Sequence, residues 1–442
     1  MCRVTSADLP VASAAARSPF TEPTINPPAR WVAAIVLLNL GITSGWFGPI
    51  QVLLLEQAKA ISPDHKEALV SAVLTVGALV SAICNPIWGV LSDRTRLRIG
   101  RRVPWAIAGV VLGAASLLVM SQVESIWAMI LGWSGVQATL NMGFAAVTAS
   151  VPDQVPVPKR GVIGGLIAVA GTVGVLLGVQ IAAWTGSIAQ GYVVIAIVLI
   201  VLSLPYLFGS RDLALPDDYE PTPFDLKGFL ATFWVSPKEQ PDFAWAWITR
   251  FLVNVGNFIA FTYFLYYLSD GLGFSDKEAS TRFGLLTTIY GITIVATAVV
   301  VGGWSDRVGK RKVFVIWSGI VVSISAAILA FAQTWPAAIV AAAVLGTGYG
   351  IYQAVDFALI TQVLPGADER GKDLGVINIA AALPQVVAPA VVGLIITGAK
   401  AADLPVVTKG DAWSVGYGLV YILAFVVSLL GALFVTKIKG VE

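Results

Sequence analysis

Two ionisable residues stand inside long apolar stretches, where a charge is costly and therefore informative. Arg250 lies seven residues into the stretch that begins at Phe243, and Asp356 lies eight residues before the stretch that closes at Leu364. At helical rise these positions are roughly 10 Å and 12 Å from the ends of their segments. The matching depths predict an ion pair facing a central space, in which burial and the guanidinium act in opposite directions on the carboxyl proton. Asp356 is the candidate for exchanging a proton and Arg250 its partner. The competing reading has Arg250 reaching toward lipid headgroups and Asp356 serving as a structural anchor.

Uncharged polar residues recur on helical stripes in the same apolar stretches. Asn39, Thr43 and Trp46 share a face, as do Gln137 and Asn141, and Asn254 and Asn257 continue the face of Arg250. Tyr349, Tyr352 and Gln353 accompany Asp356, and Asn378 and Gln385 lie two turns apart. Amides bond to hydroxyl groups and aromatic rings stack on apolar ring faces, which is the chemistry that recognises a sugar. The candidate binding residues are Asn39, Trp46, Gln137, Asn141, Asn254, Asn257, Tyr349, Gln353 and Asn378. Taken singly, each could equally join one helix to another.

Catalytic and cofactor chemistry finds little to work with. The only histidine, His65, falls in a polar connector, and the two cysteines, Cys2 and Cys84, lie in a tail and an apolar run, so neither a zinc site nor a thiolate cluster is expected. The run from Gly303 to Lys310 has the wrong spacing for a phosphate loop and is followed by Arg311 where a Ser or Thr should hold magnesium. No cofactor, metal or enzyme activity is expected. A net charge of +2, scattered in short clusters, argues against nucleic acid as a partner.

The positioning elements follow from composition. Of 442 residues 57% are hydrophobic and 12% charged, and the mean hydropathy is +0.81, which suits a lipid bilayer and not water. Twelve apolar segments each approach the roughly 20 residues needed to cross about 30 Å of hydrocarbon as helix. They run from Trp31 to Leu55, Leu69 to Leu91, Pro104 to Met120, Ile126 to Val151, Val162 to Trp184, Tyr192 to Phe208, Phe243 to Leu268, Phe283 to Trp304, Val313 to Phe331, Ala337 to Leu364, Leu374 to Ile396 and Val415 to Phe434. The expected fold is an all-α membrane protein of twelve transmembrane helices in two six-helix bundles. Residues 1–30 form a disordered tail, 31–210 and 243–442 the two bundles, and 211–242 a connector. Of the 28 lysines and arginines, 21 fall on the side of the termini and six on the other, which predicts cytoplasmic termini.

The halves repeat at an offset of 213 residues. Gly89, Ser92, Asp93 and Arg94 match Gly302, Ser305, Asp306 and Arg307, and Phe144, Thr148 and Pro152 match Phe357, Thr361 and Pro365. The first motif continues through Arg96, Arg98, Gly100, Arg101 and Arg102 to Pro104, the second through Gly309, Lys310 and Arg311. Both copies resemble the signature of the major facilitator superfamily at the connector after helices 2 and 8. The resemblance implies alternating access, with Asp93, Arg94, Arg101, Arg102, Asp306 and Arg307 as a cytoplasmic latch and Asp153 and Arg160 as its partners.

The long first copy, ending in Gly-Arg-Arg before Pro104, is similar to the glycoside-pentoside-hexuronide and sucrose carriers. That likeness implies a monomeric secondary transporter of the cytoplasmic (inner) membrane, taking up a sugar or glycoside with protons or another cation. Helix 2 lacks the acidic residues that melibiose-type carriers place there, so their kind of cation coupling is not implied. The alternative is a proton-coupled exporter of drugs or metabolites, although Val175 follows Gly174 where drug antiporters carry a Gly-Pro step. Glycines of the fifth segment, Gly164, Gly165, Gly171, Gly174 and Gly178 among them, read as helix-packing surfaces.

Overall fold

A computed structural model describes residues 23–210, 212, 214, 215, 238, 240–363, 379–381, 383–406 and 414–439. Most of the tail and connector therefore lies outside the described residues, as do Asn378 and the side chains of Arg160 and Asp306.

The first half comprises α1 (Ala29–Ile61), α2 (Lys66–Asp93), α3 (Val103–Met120), α4 (Ile126–Gln154), α5 (Val157–Trp184) and α6 (Ile188–Gly209). The second comprises α7 (Pro241–Gly271), α8 (Asp276–Val308), α9 (Arg311–Phe331), α10 (Trp335–Val363), α11 (Pro384–Ala401) and α12 (Val415–Phe434). Helix starts follow local chemistry. Ser125, Ser187 and Ser414 accept a backbone N–H from the first turns of α4, α6 and α12, and prolines open α3, α5, α7 and α11, where the missing N–H costs nothing.

Several helices outrun their apolar cores. Helix α1 continues past Leu55 to Ile61 through a wide turn at Pro49–Leu53, where the N–H of Leu54 reaches back five residues to Pro49. Helix α7 ends in a comparable wide turn at Tyr267–Gly271, closed by Leu272 N–H on the Tyr267 carbonyl at 2.9 Å. Eleven of the described helices are long and apolar enough to span a membrane by length and composition, and α4 is the twelfth long helix. Its Gly, Ser and Thr content, with Gln137 and Asn141, lowers its hydropathy below that of the other eleven.

Packing repeats with the sequence. Helix α1 lies on α6, α2 and α3 on α4, and α3 on α6; in the second half α7 lies on α12, α8 and α9 on α10, and α9 on α12. The halves meet through α2 against α11 and α5 against α8. Small residues set the closest approaches. A Cβ built on Gly178 of α5 would lie 2.6 Å from the Ser44 carbonyl of α1, so no larger side chain fits there. Outward-facing residues such as Trp127, Leu131 and Phe208 leave an apolar belt for lipid.

Candidate transport pathway

The two intramembrane charges pair. Arg250 Nη1 of α7 lies 2.8 Å from Asp356 Oδ2 of α10, with both side chains largely buried. Asn254, one turn along α7, donates through Nδ2 to the Arg250 carbonyl at 2.8 Å and to the Tyr352 hydroxyl at 3.2 Å. Tyr349 donates to Asn254 Oδ1 at 3.1 Å, and Tyr290 of α8 donates to Asn257 Oδ1 at the same distance. The stripe of amides and tyrosines beside the ion pair is thus one connected network within the second half.

A narrow space of about 20 Å³ lies between the halves, well below the size of a small-molecule site, so in this state the halves are drawn together around it. Gln137 of α4 and Gln385 of α11 face it from opposite halves, with Thr262 of α7, and Phe47 and Phe258 supply aromatic walls. The residues that line it carry no ionised group. Asn141 lies behind Gln137, donating to its carbonyl at 2.8 Å and accepting from Asn85 at 3.0 Å.

Other candidates are placed elsewhere. Asn39 turns toward α5 and donates to the Ile167 carbonyl at 3.0 Å, and Trp46 packs edge-on against Phe144 at 5.3 Å. These two serve helix packing in this state. Gln353 is exposed, beside the network and not in it.

The two ends of the molecule differ. At the end away from the termini, Lys66 of α2 sits between the two carboxylate oxygens of Asp270 of α7, at 2.7 and 2.6 Å, with the side chains 5% and 6% exposed. Tyr417 donates to the same carboxylate at 3.1 Å, and the Lys66 ammonium lies 4.8 Å from the centre of the Tyr266 ring. Lys400 of α11 binds Glu67 of α2 at 2.8 Å, Lys59 pairs with Asp276, and Ser280 donates to Glu56. Neutral bonds cross as well: Tyr266 to the Leu55 carbonyl at 2.6 Å, Ser71 to the Pro389 carbonyl at 2.7 Å, and Gln180 to Gly284 and Thr288 at 2.7 Å each. This far end is closed.

At the terminal end, Asp153 holds both Arg101, at 2.7 Å, and Arg102, at 2.9 Å, while Arg102 also reaches Asp93 and Ser92 at 2.5 Å. Burial alone would lower the pKa of the Arg102 guanidinium, but the carboxylates of Asp153 and Asp93 outweigh it and raise that pKa, so the group stays cationic. Asp212 receives the backbone N–H groups of Arg102 and Val103 and caps α3. Of the expected latch residues, Asp93, Arg101, Arg102 and Asp153 are thus joined to one another within the first half. A Cβ on Gly89, Gly164, Gly165, Gly302 or Gly303 would meet nothing within 4 Å, whereas one on Gly291 of α8 would press on Leu176 of α5 nearer the far end. The glycines at the start of the α5 stripe face unfilled space, and those further along it pack. Arg307 is exposed at the end of α8.

Sequence reading missed the far-end pairs. Lys59, Lys66 and Lys400 served there only to count charge, and their partners lie more than 200 positions away. The single available signal was an excess of acidic residues, Glu56, Glu67, Asp270 and Asp276, near the same helix ends.

Two six-helix halves of membrane-spanning helices, joined by ion pairs at one end around a neutral lining, are the architecture of a membrane transporter. A family model described as Major Facilitator Superfamily matches residues 32–283 and 277–441, and the chain belongs to that superfamily. The multidrug resistance protein MdtG of Escherichia coli is 23% identical over 299 residues, 66% of this chain and 70% of its own. An uncharacterized symporter of Synechocystis sp. is 52% identical over 44 residues, which span 10% of this chain and only 8% of that relative. Among solved structures, the nucleoside transporter NupG aligns with a TM-score of 0.69 at 14% identity, covering 92% of this chain and 99% of NupG. A bacterial homolog of the human lysosomal transporter Spinster, in an inward-facing, occupied conformation, gives 0.69 at 14% identity over 92% of this chain and 96% of its own.

Proposed function

We propose that this protein is a secondary active transporter of the cytoplasmic membrane that takes up an uncharged sugar or glycoside together with protons. The observation that carries the reading is the cavity. Its lining is one amide from each half with aromatic walls and no charge, which suits a neutral solute with hydroxyl edges and an apolar face, and because the space is only about 20 Å³ in this state the halves must part to admit one.

A solute held by Gln137 and Gln385 at once contacts both halves and favours the state in which they approach at the terminal end. The excess of lysine and arginine on that side supports a cytoplasmic position for it, so the described state faces inward. Asp356 is the coupling carboxylate in this scheme. Its ion pair with Arg250 shares α7 with Phe258 and Thr262 of the cavity, so a proton arriving at Asp356 frees Arg250 one helix face away from the solute.

A second reading, proton-coupled export of drugs or metabolites, draws on the likeness to MdtG and on the apolar part of the lining, Phe47, Ile50, Leu74, Ala78, Phe258 and Pro389. Charge movement in proteoliposomes on a solid-supported membrane separates the two. Disaccharides and lipophilic cations are applied at several pH values to wild type and Asp356→Asn. Uptake of sugar with protons gives a disaccharide current that depends on pH and disappears in the variant. Currents with the cations alone would establish the exporter, and a variant equal to wild type would move coupling to another group.

A further inference from the structure

The hydrogen bonds around Asp356 run in one direction. A backbone carbonyl only accepts, so the bond to the Arg250 carbonyl fixes the Asn254 amide with its nitrogen toward Arg250 and its oxygen toward Tyr349. The second amide hydrogen then goes to the Tyr352 oxygen. The Tyr352 hydroxyl has one proton, and because Arg250 and Asn254, one turn apart on α7, hold Asp356 and Tyr352, one turn apart on α10, the Asp356 carboxylate is the acceptor placed beside it. Tyr352 is 2% exposed, so water does not compete for that bond. From Tyr349 through Asn254 and Tyr352, every donor points toward a carboxylate, which accepts more strongly ionised than protonated.

We propose that Tyr352 is a positioning residue that sets the pH at which Asp356 takes up its proton, with Asn254 and Tyr349 holding its hydroxyl in the donating orientation. This rests on the reading of Asp356 as the coupling carboxylate. The other groups that face it are few. Helix α7 contributes Arg250, and α10 itself contributes Tyr349 beside Tyr352. Helix α8 contributes Tyr290, which stacks on Tyr349 at 6.5 Å and spends its proton on Asn257, and its charged residues stand toward its two ends, Asp276, Lys277, Glu278 and Arg282 at one and Asp306 and Arg307 at the other. The charged residues of α9, Arg311 and Lys312, lie in its first turn, where Lys312 is engaged by the Ile438 carbonyl. A donor to the ionised form favours that form, so deleting it lets the carboxyl protonate at higher pH.

The test needs no transported solute. Infrared difference spectra of wild type minus Asp356→Asn in proteoliposomes isolate the carbonyl stretch of protonated Asp356, with the proton as the only ligand. In Tyr352→Phe this band should appear at a pH about one unit higher than in wild type, a tenfold lower proton concentration. Tyr349→Phe, which cuts the line at its outer end, should shift it the same way by less. An unmoved midpoint in Tyr352→Phe overturns the inference and leaves the coupling reading standing. Absence of any titrating Asp356 band in wild type overturns the coupling reading itself. Should Tyr352→Phe fail to assemble, an unshifted Tyr349→Phe is the overturning result.

Discussion

The Lys66–Asp270 pair and the Arg101–Arg102–Asp153 cluster are both buried and both bring opposite charges to helix ends, yet the first spans the two halves and the second stays inside one. The difference follows from what each must do during a cycle of alternating access. Charges that remain together in every state can be buried at a helix terminus and hold a half rigid. Charges that join the halves exist as a pair in one state and must be rehydrated in the other, so their burial sets the relative energy of the two states. The far end therefore carries the conformational bias, and the terminal cluster carries integrity of the first half.

The largest test of that contrast is Lys66→Met. Removing one partner of a buried pair costs about 3–5 kcal/mol, here only in the far-end-closed state. Spin labels at Pro63 and Ala402 should then report a far end that opens in most molecules, and Lys66→Met combined with Asp270→Leu should close it again. An unaltered distance distribution in the single variant would break the comparison. Asp153→Asn should act differently, lowering thermal stability by about 1.5–3 kcal/mol through weakened bonds to two guanidinium groups while leaving the far-end distance unchanged. A change in that distance would give the terminal cluster a role between the halves.

Glycines sharpen the same point at smaller scale. Gly393 of α11 packs on α2, where an added Cβ would lie 2.4 Å from Ser71 Oγ, and Gly393→Ala should oppose far-end closure by about 1–3 kcal/mol. Gly303→Ala meets open space in this state and should leave thermal stability equal or slightly higher, yet it should slow transport by obstructing closure of the terminal end. Equal transport rates for Gly303→Ala and wild type would show that α8 never packs closely there. The smallest effect belongs to Lys59→Ala. Its pair with Asp276 is exposed, at 35% and 61%, and contributes at most about 1 kcal/mol, to be read as a small change in the same label distance.

The fold was legible because hydrocarbon thickness leaves the chain little choice: apolar runs of helical length and a motif repeated at 213 residues suffice for two bundles. The Arg250 and Asp356 positions could be matched because depth in a membrane is countable along a helix. Rotation is harder to count, which is why Asn39 and Trp46, on the same stripe as Thr43, turn to α5 and Phe144 and not to the cavity. The far-end pairs were not legible at all. Lysines and acids at loop edges look solvated until the halves are brought together, and the sharing of Asp153 by Arg101 and Arg102 depends on how the start of α3 meets the end of α4, which spacing does not specify. Gln385, noted only as a polar residue two turns beyond Asn378, faces the cavity because α11 crosses α2 at Gly393.

The polar character of α4 also bears on how the chain enters the bilayer during synthesis. A segment whose Gln137 and Asn141 keep it below the hydropathy of its eleven neighbours partitions weakly when presented to lipid alone. Helix α3 precedes it by a short turn and packs along it, shielding one side. The insertion machinery must then release the two as a hairpin, and glycosylation mapping should find α4 left outside the membrane when α3 is replaced by a soluble spacer.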